Sequence, residues 1–212
     1  MGCCYNDPAM LNVRSVIIAL LVAFVLPSVG FSGISVKPVN LEEMVAKADR
    51  VFHGTCERSE SRHVESTRIP VIEYTFRVET AIKGVSEGER VVFRQVHWQD
   101  AGQTGAPDVP EYKVGQQMLL FLKKDSQGGF TSPVGLRQGA FLVKGKGASA
   151  AVMNLDSNRN LTAGMSLARA AENGLTPEEY RTLGRGQEIR LDAFRSMVNR
   201  IARARQSRDI QK

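Results

Sequence analysis

His53, His63 and His97 are the only imidazoles in this 212-residue chain, and imidazole is the side chain most often used for metal binding and proton transfer near neutral pH. None of them pairs with another at a ligand spacing such as His-x₃-His, so ordinary polar or packed histidines account for all three. Nucleophilic catalysis would show as a serine in a Gly-x-Ser-x-Gly elbow, and the chain has none. Phosphate cradling needs a longer glycine motif than Gly145-x-Gly147. Glu57 with Glu60, and Glu87 with Glu89, could pose as acid–base pairs, but they fall where strand edges and turns are solvated. No catalytic residue, metal or cofactor is therefore expected.

Binding is the better use for the polar residues that remain. Trp98 and Tyr112 bracket a long loop rich in Gly, Pro and Asp, from Gln99 to Pro110. Glu73, Arg77 and Glu79 point to one side of a strand whose other side is apolar. A small barrel would meet a partner through such a face and loop. The competing reading of Trp98 and Tyr112 is packing at the rim.

The net charge of +6 suggests a polyanion partner until it is located. Residues 190–212 carry seven basic residues against Asp192 and Asp209, a net of +5. Asp7 and Arg14 cancel in residues 1–30, leaving 20 basic against 19 acidic residues in 31–189. The basicity belongs to a C-terminal helix and tail, with Arg195, Arg200, Arg203 and Arg205 as its candidate contacts. They could touch anionic lipid headgroups or another polyanion. Alternatively, Leu191, Phe194, Val198 and Ile201 dock one helix face and leave the arginines in water. A neutral body and an export signal argue against nucleic acid.

That signal is the run Ser15–Leu26, twelve residues without a charge between Arg14 and Pro27. Spanning a bilayer takes about 20 apolar residues. The run has instead the length of a signal-peptide core, with Ser28 and Gly30 small before a cleavage point and Phe31-Ser32 a second one. Met10 offers an alternative start. Cys3 and Cys4 would leave with the signal, so Cys56 would be the one cysteine of a periplasmic or secreted chain.

The elements that must position these residues follow from hydrophobic period. Asn40 can cap a short helix whose Leu41, Met44, Val45 and Ala48 share a face. Strands are expected over Val51–Cys56, from Glu73 to an end at Ile82-Lys83-Gly84, and over Arg90–Trp98, Met118–Leu122, Phe130–Thr131 and Gly139–Lys144, with a further one at Ala151–Leu155 and a polar loop at Arg58–Arg68. The unbroken apolar run Met118–Leu122 predicts burial on both faces. Thr176-Pro177-Glu178-Glu179 opens a helix, and the final helix follows.

Leu41-Glu42-Glu43, Ala48-Asp49-Arg50-Val51, Tyr74 to Val78, Ile82-Lys83-Gly84, Leu119 to Leu122 and Gly135-Leu136-Arg137-Gln138-Gly139, in that order, resemble a group of uncharacterised exported bacterial proteins over residues 40–145 and the terminal helix. A weaker similarity runs to netrin-like and metalloproteinase-inhibitor modules. It implies a mainly β fold: a small antiparallel OB-like barrel with a short N-terminal helix and C-terminal helices. Those inhibitors act through an N-terminal cysteine anchored by disulfides, which a mature chain with Cys56 alone cannot supply.

The expected organisation is a signal peptide at 1–30, a barrel domain with its helix at 31–155 and a helical extension at 156–212. The expected role is an exported non-enzymatic binding or structural accessory module for a protein or glycan of the envelope. The alternatives are a hydrolase-like exported enzyme with dispersed site residues, and attachment to a polyanion or membrane surface through the basic helix.

Overall fold

The computed structural model describes residues 36–64, 69–97 and 109–210, which belong to one compact unit. The segment expected to direct export, with Cys3 and Cys4, and Trp98 with most of its loop lie outside these residues. In chain order the elements are α1 (Leu41–Lys47), β1 (Arg50–His63), β2 (Pro70–Lys83), β3 (Arg90–Val96), β4 (Gln117–Leu122), β5 (Ala140–Lys144), β6 (Ala151–Asn154), α2 (Leu167–Glu172), α3 (Pro177–Gly184), β7 (Ile189–Arg190) and α4 (Leu191–Ile210). The chain is mainly β: one seven-stranded sheet in the order β3-β2-β1-β4-β5-β6-β7, every neighbouring pair antiparallel, with several helices. The sheet does not close into a barrel through continuous ladders. The expected strand at Phe130–Thr131 is reduced to single bridges, parallel between Arg94 and Phe130 and antiparallel between Leu122 and Pro133.

The β1–β2 hairpin is longer than its hydrophobic pattern. Beyond Cys56 the strand has little to bury, so the stretch from Arg58 reads as a loop in sequence. It stays extended to His63 because the ladder continues, Ser59 opposite Tyr74 through to His63 opposite Pro70. Arg62 adds ion pairs to Glu60 at 2.6 Å and to Glu73 at 3.4 Å. Register shifts between Val51 and Phe52, His53 and Gly54, and Cys56 and Arg58 bend the inner half of β1. Gly54 is required there, since a Cβ would stand 2.4 Å from the Arg77 carbonyl oxygen.

Two hydrophobic cores form on opposite faces of the sheet. One gathers Phe52, Cys56, Tyr74, Phe76, Phe93, Tyr112, Met118, Leu120 and Leu122 inside its curl. The other packs Val51, Leu119, Phe121 and Phe141 against α1, α3 and α4. β4 feeds both cores in alternation, and Met118 to Leu122 are all buried, as the unbroken apolar run predicts. Phe194 of α4 lies 4.7 Å, ring to ring, from Phe141, and Leu191, Val198 and Ile201 are buried with it. The C-terminal helix is thus docked by its apolar face.

Polar pins hold the segments that carry no regular structure. Asn40 caps α1 by accepting from Glu43 N at 2.9 Å, while its amide donates to Ala163 O at 2.8 Å. Thr176 and Glu179 close a reciprocal capping box on α3. Within Gly135–Gly139, Gln138 accepts from Val39 N at 2.9 Å and donates to Lys37 O at 3.1 Å. Arg137 donates to Leu155 O through Nε at 3.0 Å and a terminal nitrogen at 2.7 Å. This motif ties the entry to α1 and the end of β6 to the sheet. Its work is structural.

Gly54→Ala should cost about 1–3 kcal/mol, because β2 backbone rather than a flexible side chain must yield. A chemical-denaturation midpoint unchanged from the parent chain would contradict this packing.

Candidate functional site

Of the residues expected to bind, Glu73 and Arg77 share one face of β2, while Tyr112 lies on the other side of the sheet. Glu73 lies on the outer face of β2, bound to Arg94 at 2.7 Å and to Arg62 at 3.4 Å. Arg77, four residues along the same strand, pairs with Glu57 at 3.1 Å, and Arg90 joins the same carboxylate at 2.8 Å. This outer face of β1–β3 is a mesh of cross-strand ion pairs around Val92, which is 49% exposed. Tyr112 belongs to the opposite side. It is buried with its ring edge-on to Tyr74 at 4.9 Å and to Phe76 at 5.3 Å. Trp98 lies outside the described residues, so its part in a site stays an expectation.

The arginines of α4 divide in the same way. Arg200 binds Glu179 of α3 at 2.5 Å, and Arg208 reaches Asn173 Oδ1 at 2.8 Å and Glu42 at 3.4 Å. Glu42 also takes a two-pronged bond from Arg169, at 3.0 and 2.5 Å. Burial pushes the Glu42 carboxyl up, but these bonds and charges outweigh it and hold the group below the usual carboxylate range. Part of the C-terminal basicity is therefore spent on docking the helices. Arg195, Arg200 and Arg203 line a shallow cleft along α4 with Asp192, Ser196 and Asn199. Arg205 lies in a separate groove beside Lys83 and Ile82.

A polar cluster that sequence reasoning missed sits on the helix-facing side of the sheet. Glu79 of β2 accepts from Thr55 Oγ1 at 2.5 Å and from the Gln117 amide at 3.4 Å. His53 Nε2 stands 3.6 Å from the same carboxylate and is buried without a hydrogen-bond partner. Burial pushes the His53 imidazole below its ordinary range; Glu79 pulls it up and the Arg195 guanidinium pushes it down further. His53 and Glu79 stand far apart in the chain, and only the hairpin register places Thr80 opposite His53. No short motif could have signalled it.

A neutral imidazole beside an oriented carboxylate can move a proton only where a reactant reaches it. His53 is nearly closed off from solvent, and the cluster contains no serine or cysteine nucleophile. Cys56 lies in the other core, where burial pushes its thiol up and away from the reactive thiolate. His63 is exposed at the end of β1, and His97 faces Glu111 at 3.5 Å. Among the described residues no three His, Cys, Asp or Glu side chains are placed to hold a metal ion, and no helix is long and apolar enough to cross a membrane.

A second cleft, of about 340 Å³, opens beside the end of β3 and the turn after β4. Gln95, Lys123, Lys124 and Phe130 are among its walls. No family model, curated protein or solved structure matches the chain.

The depressed His53 pKa makes a stability prediction with a definite sign. The folded state binds fewer protons there than the unfolded chain, so stability rises with pH. The contribution is complete above the ordinary value of 6.5 and is lost as pH falls toward the lower folded-state value. Glu42 and Glu179, both held low, lose theirs only below their ordinary value of 4.5. Denaturant melts should therefore weaken as pH falls below about 6.5, before the carboxylates begin to titrate, and His53→Gln should flatten that segment alone. An unchanged slope in the variant would rule His53 out.

Proposed function

We propose that the chain is an exported, non-enzymatic binding module built on a partly open OB-like barrel, with the outer face of β1–β3 as its working surface. The observation that carries this reading is the filled interior. Phe52, Phe76, Tyr74, Phe93 and Tyr112 occupy the curl of the sheet, each no more than 3% exposed. An enzyme of this size would keep a pocket where polar side chains converge on a reactant. Here the charged side chains of β2 and β3 lie on the outer face, and aromatic rings fill the interior where a reactant would sit.

The OB-like reading draws support from the segment Phe130–Val134. Thr131 N donates to Arg94 O of β3 at 3.1 Å, while Val134 N donates to Phe121 O of β4 at 2.8 Å. Counting this segment as a fifth stave, neighbours run β3-β2-β1-β4 and return through it to β3. That is a five-stranded ring with one weak seam, in keeping with a partly open barrel. Export rests on the twelve uncharged residues Ser15–Leu26.

The partner is a protein or glycan of the cell envelope. Its footprint would centre on Arg77, Val92 and Arg94, where exposed apolar surface is framed by fixed charges. Hydrogen exchange of the full chain, with and without a soluble envelope fraction, should slow at Thr75–Arg77 and Val92–Arg94. Arg77→Glu combined with Val92→Asp should abolish that protection while leaving the fold intact. Release of a chemically altered product, with changes centred on His53 and Glu79, would replace this reading by the enzyme alternative.

A further inference from the structure

β3 is an edge strand of the sheet, and its ladder decides which backbone groups are left over. Val78 N donates to Glu89 O at 2.9 Å and His97 N to Pro70 O at 2.9 Å, so the odd-numbered backbone groups of β3 turn to β2 and the even-numbered ones turn outward. The segment at Phe130 takes up that outward edge only at Arg94, whose carbonyl oxygen accepts from Thr131 N at 3.1 Å. The outward N–H and C=O groups of Arg90 and Val92 have no hydrogen-bond partner among the described residues. Natural edges are guarded by a bulge, a proline or charged side chains at the rim. β3 pairs with β2 without a register shift and contains no proline. Its charged residues are Arg90 and Arg94, and both are drawn back across the sheet, to Glu57 at 2.8 Å and to Glu73 at 2.7 Å. Between them Val92 is left exposed on the open edge.

We propose that the partner binds by strand addition: an extended segment of a protein pairs antiparallel with Arg90–Val92, setting an apolar side chain beside Val92 and an acidic one beside Arg90. The proposal rests on the outer face being the working surface, and it names the partner as a polypeptide. Main-chain bonds to the unpaired groups of Arg90 and Val92 supply the attachment. Charge selects the side chain. In the ion-pair network of β1–β3, five arginines (Arg58, Arg62, Arg77, Arg90 and Arg94) share three carboxylates (Glu57, Glu60 and Glu73). An added carboxylate enters a network short of negative charge. A second copy of this chain would instead bring its own Arg90 and Arg94 to the same short ladder, and like charges across a ladder destabilise it. The segment at Phe130 occupies the edge at Arg94, which confines the added strand to the Arg90 end.

The probe is the capped peptide Thr-Val-Thr-Glu-Thr, titrated into the isotope-labelled full chain. It should saturate one site and slow hydrogen exchange at the outward amides of Arg90 and Val92, leaving Val91 and Phe93, which face β2, unchanged. Methylating the backbone nitrogens of the peptide's Val and Glu should abolish binding. Replacing its Glu by Gln should weaken binding roughly threefold, the size of one exposed cross-strand pair. Val92→Pro removes an outward N–H and nothing from the β2 ladder, so it should lose the peptide and keep the melt. Equal binding of the methylated peptide, tighter binding with Lys in place of Glu, self-association of the chain through Val92, or no saturation would each overturn the proposal. If the envelope fraction protects Thr75–Arg77 while the peptide leaves Arg90 and Val92 untouched, strand addition falls and the outer-face reading stands. Peptide binding with no response to the envelope fraction does the reverse.

Discussion

Met118 to Leu122 are five consecutive large apolar side chains, and a strand made of them has no face to give to water. Alternation sends Met118, Leu120 and Leu122 to one side and Leu119 and Phe121 to the other. Each side chain contributes about 1.5–3 kcal/mol only if its own side is covered. The sheet must therefore curl on one side and carry helices on the other. β1, hydrogen-bonded along β4, obeys the same rule with Val51 and Phe52. The aromatic cluster, the docking of α4 and the closing of the C-terminal segment onto β6 all serve that two-sided burial.

Charge then decides how the covering layer is held rather than whether it forms. Glu42, Arg169 and Arg208 join α1, α2 and α4, and Glu179 with Arg200 joins α3 to α4. These pairs are partly buried, so solvent and salt screen them less than the pairs among Glu57, Arg77 and Arg90 outside. The clustered basicity of the C-terminal residues has a structural use in this arrangement. Arg195 and Arg203 line a shallow cleft along α4 together with Arg200.

Much of this architecture was legible in sequence where a local pattern faced a single environment. The capped helix at Asn40, the alternating strand at Tyr74–Thr80, the apolar run at Met118 and the apolar face of α4 all read correctly. Legibility failed where the cause was non-local. The outer half of β1 is a strand because β2 lies beside it, not because of its own pattern. Tyr112 looked like a rim aromatic, yet three rings from β2 and β3 surround it. His53, Thr55, Glu79 and Gln117 meet only through strand register. The segment at Phe130 has the composition of a strand but bridges two others at single points, so its pairing could not be read in advance.

The account depends on the inside of the curled sheet being closed to reactants, and Cys56 reports on that space directly. In a chain with Cys3→Ser and Cys4→Ser it is the sole thiol, and it lies fully buried between β1 and the aromatic cluster. Labelling by an aromatic disulfide reagent should proceed only through global unfolding, with a rate that follows stability as denaturant is added. Rapid labelling under native conditions, insensitive to denaturant, would mean that the interior is an accessible pocket, and the reading as a surface-binding module would fall with it.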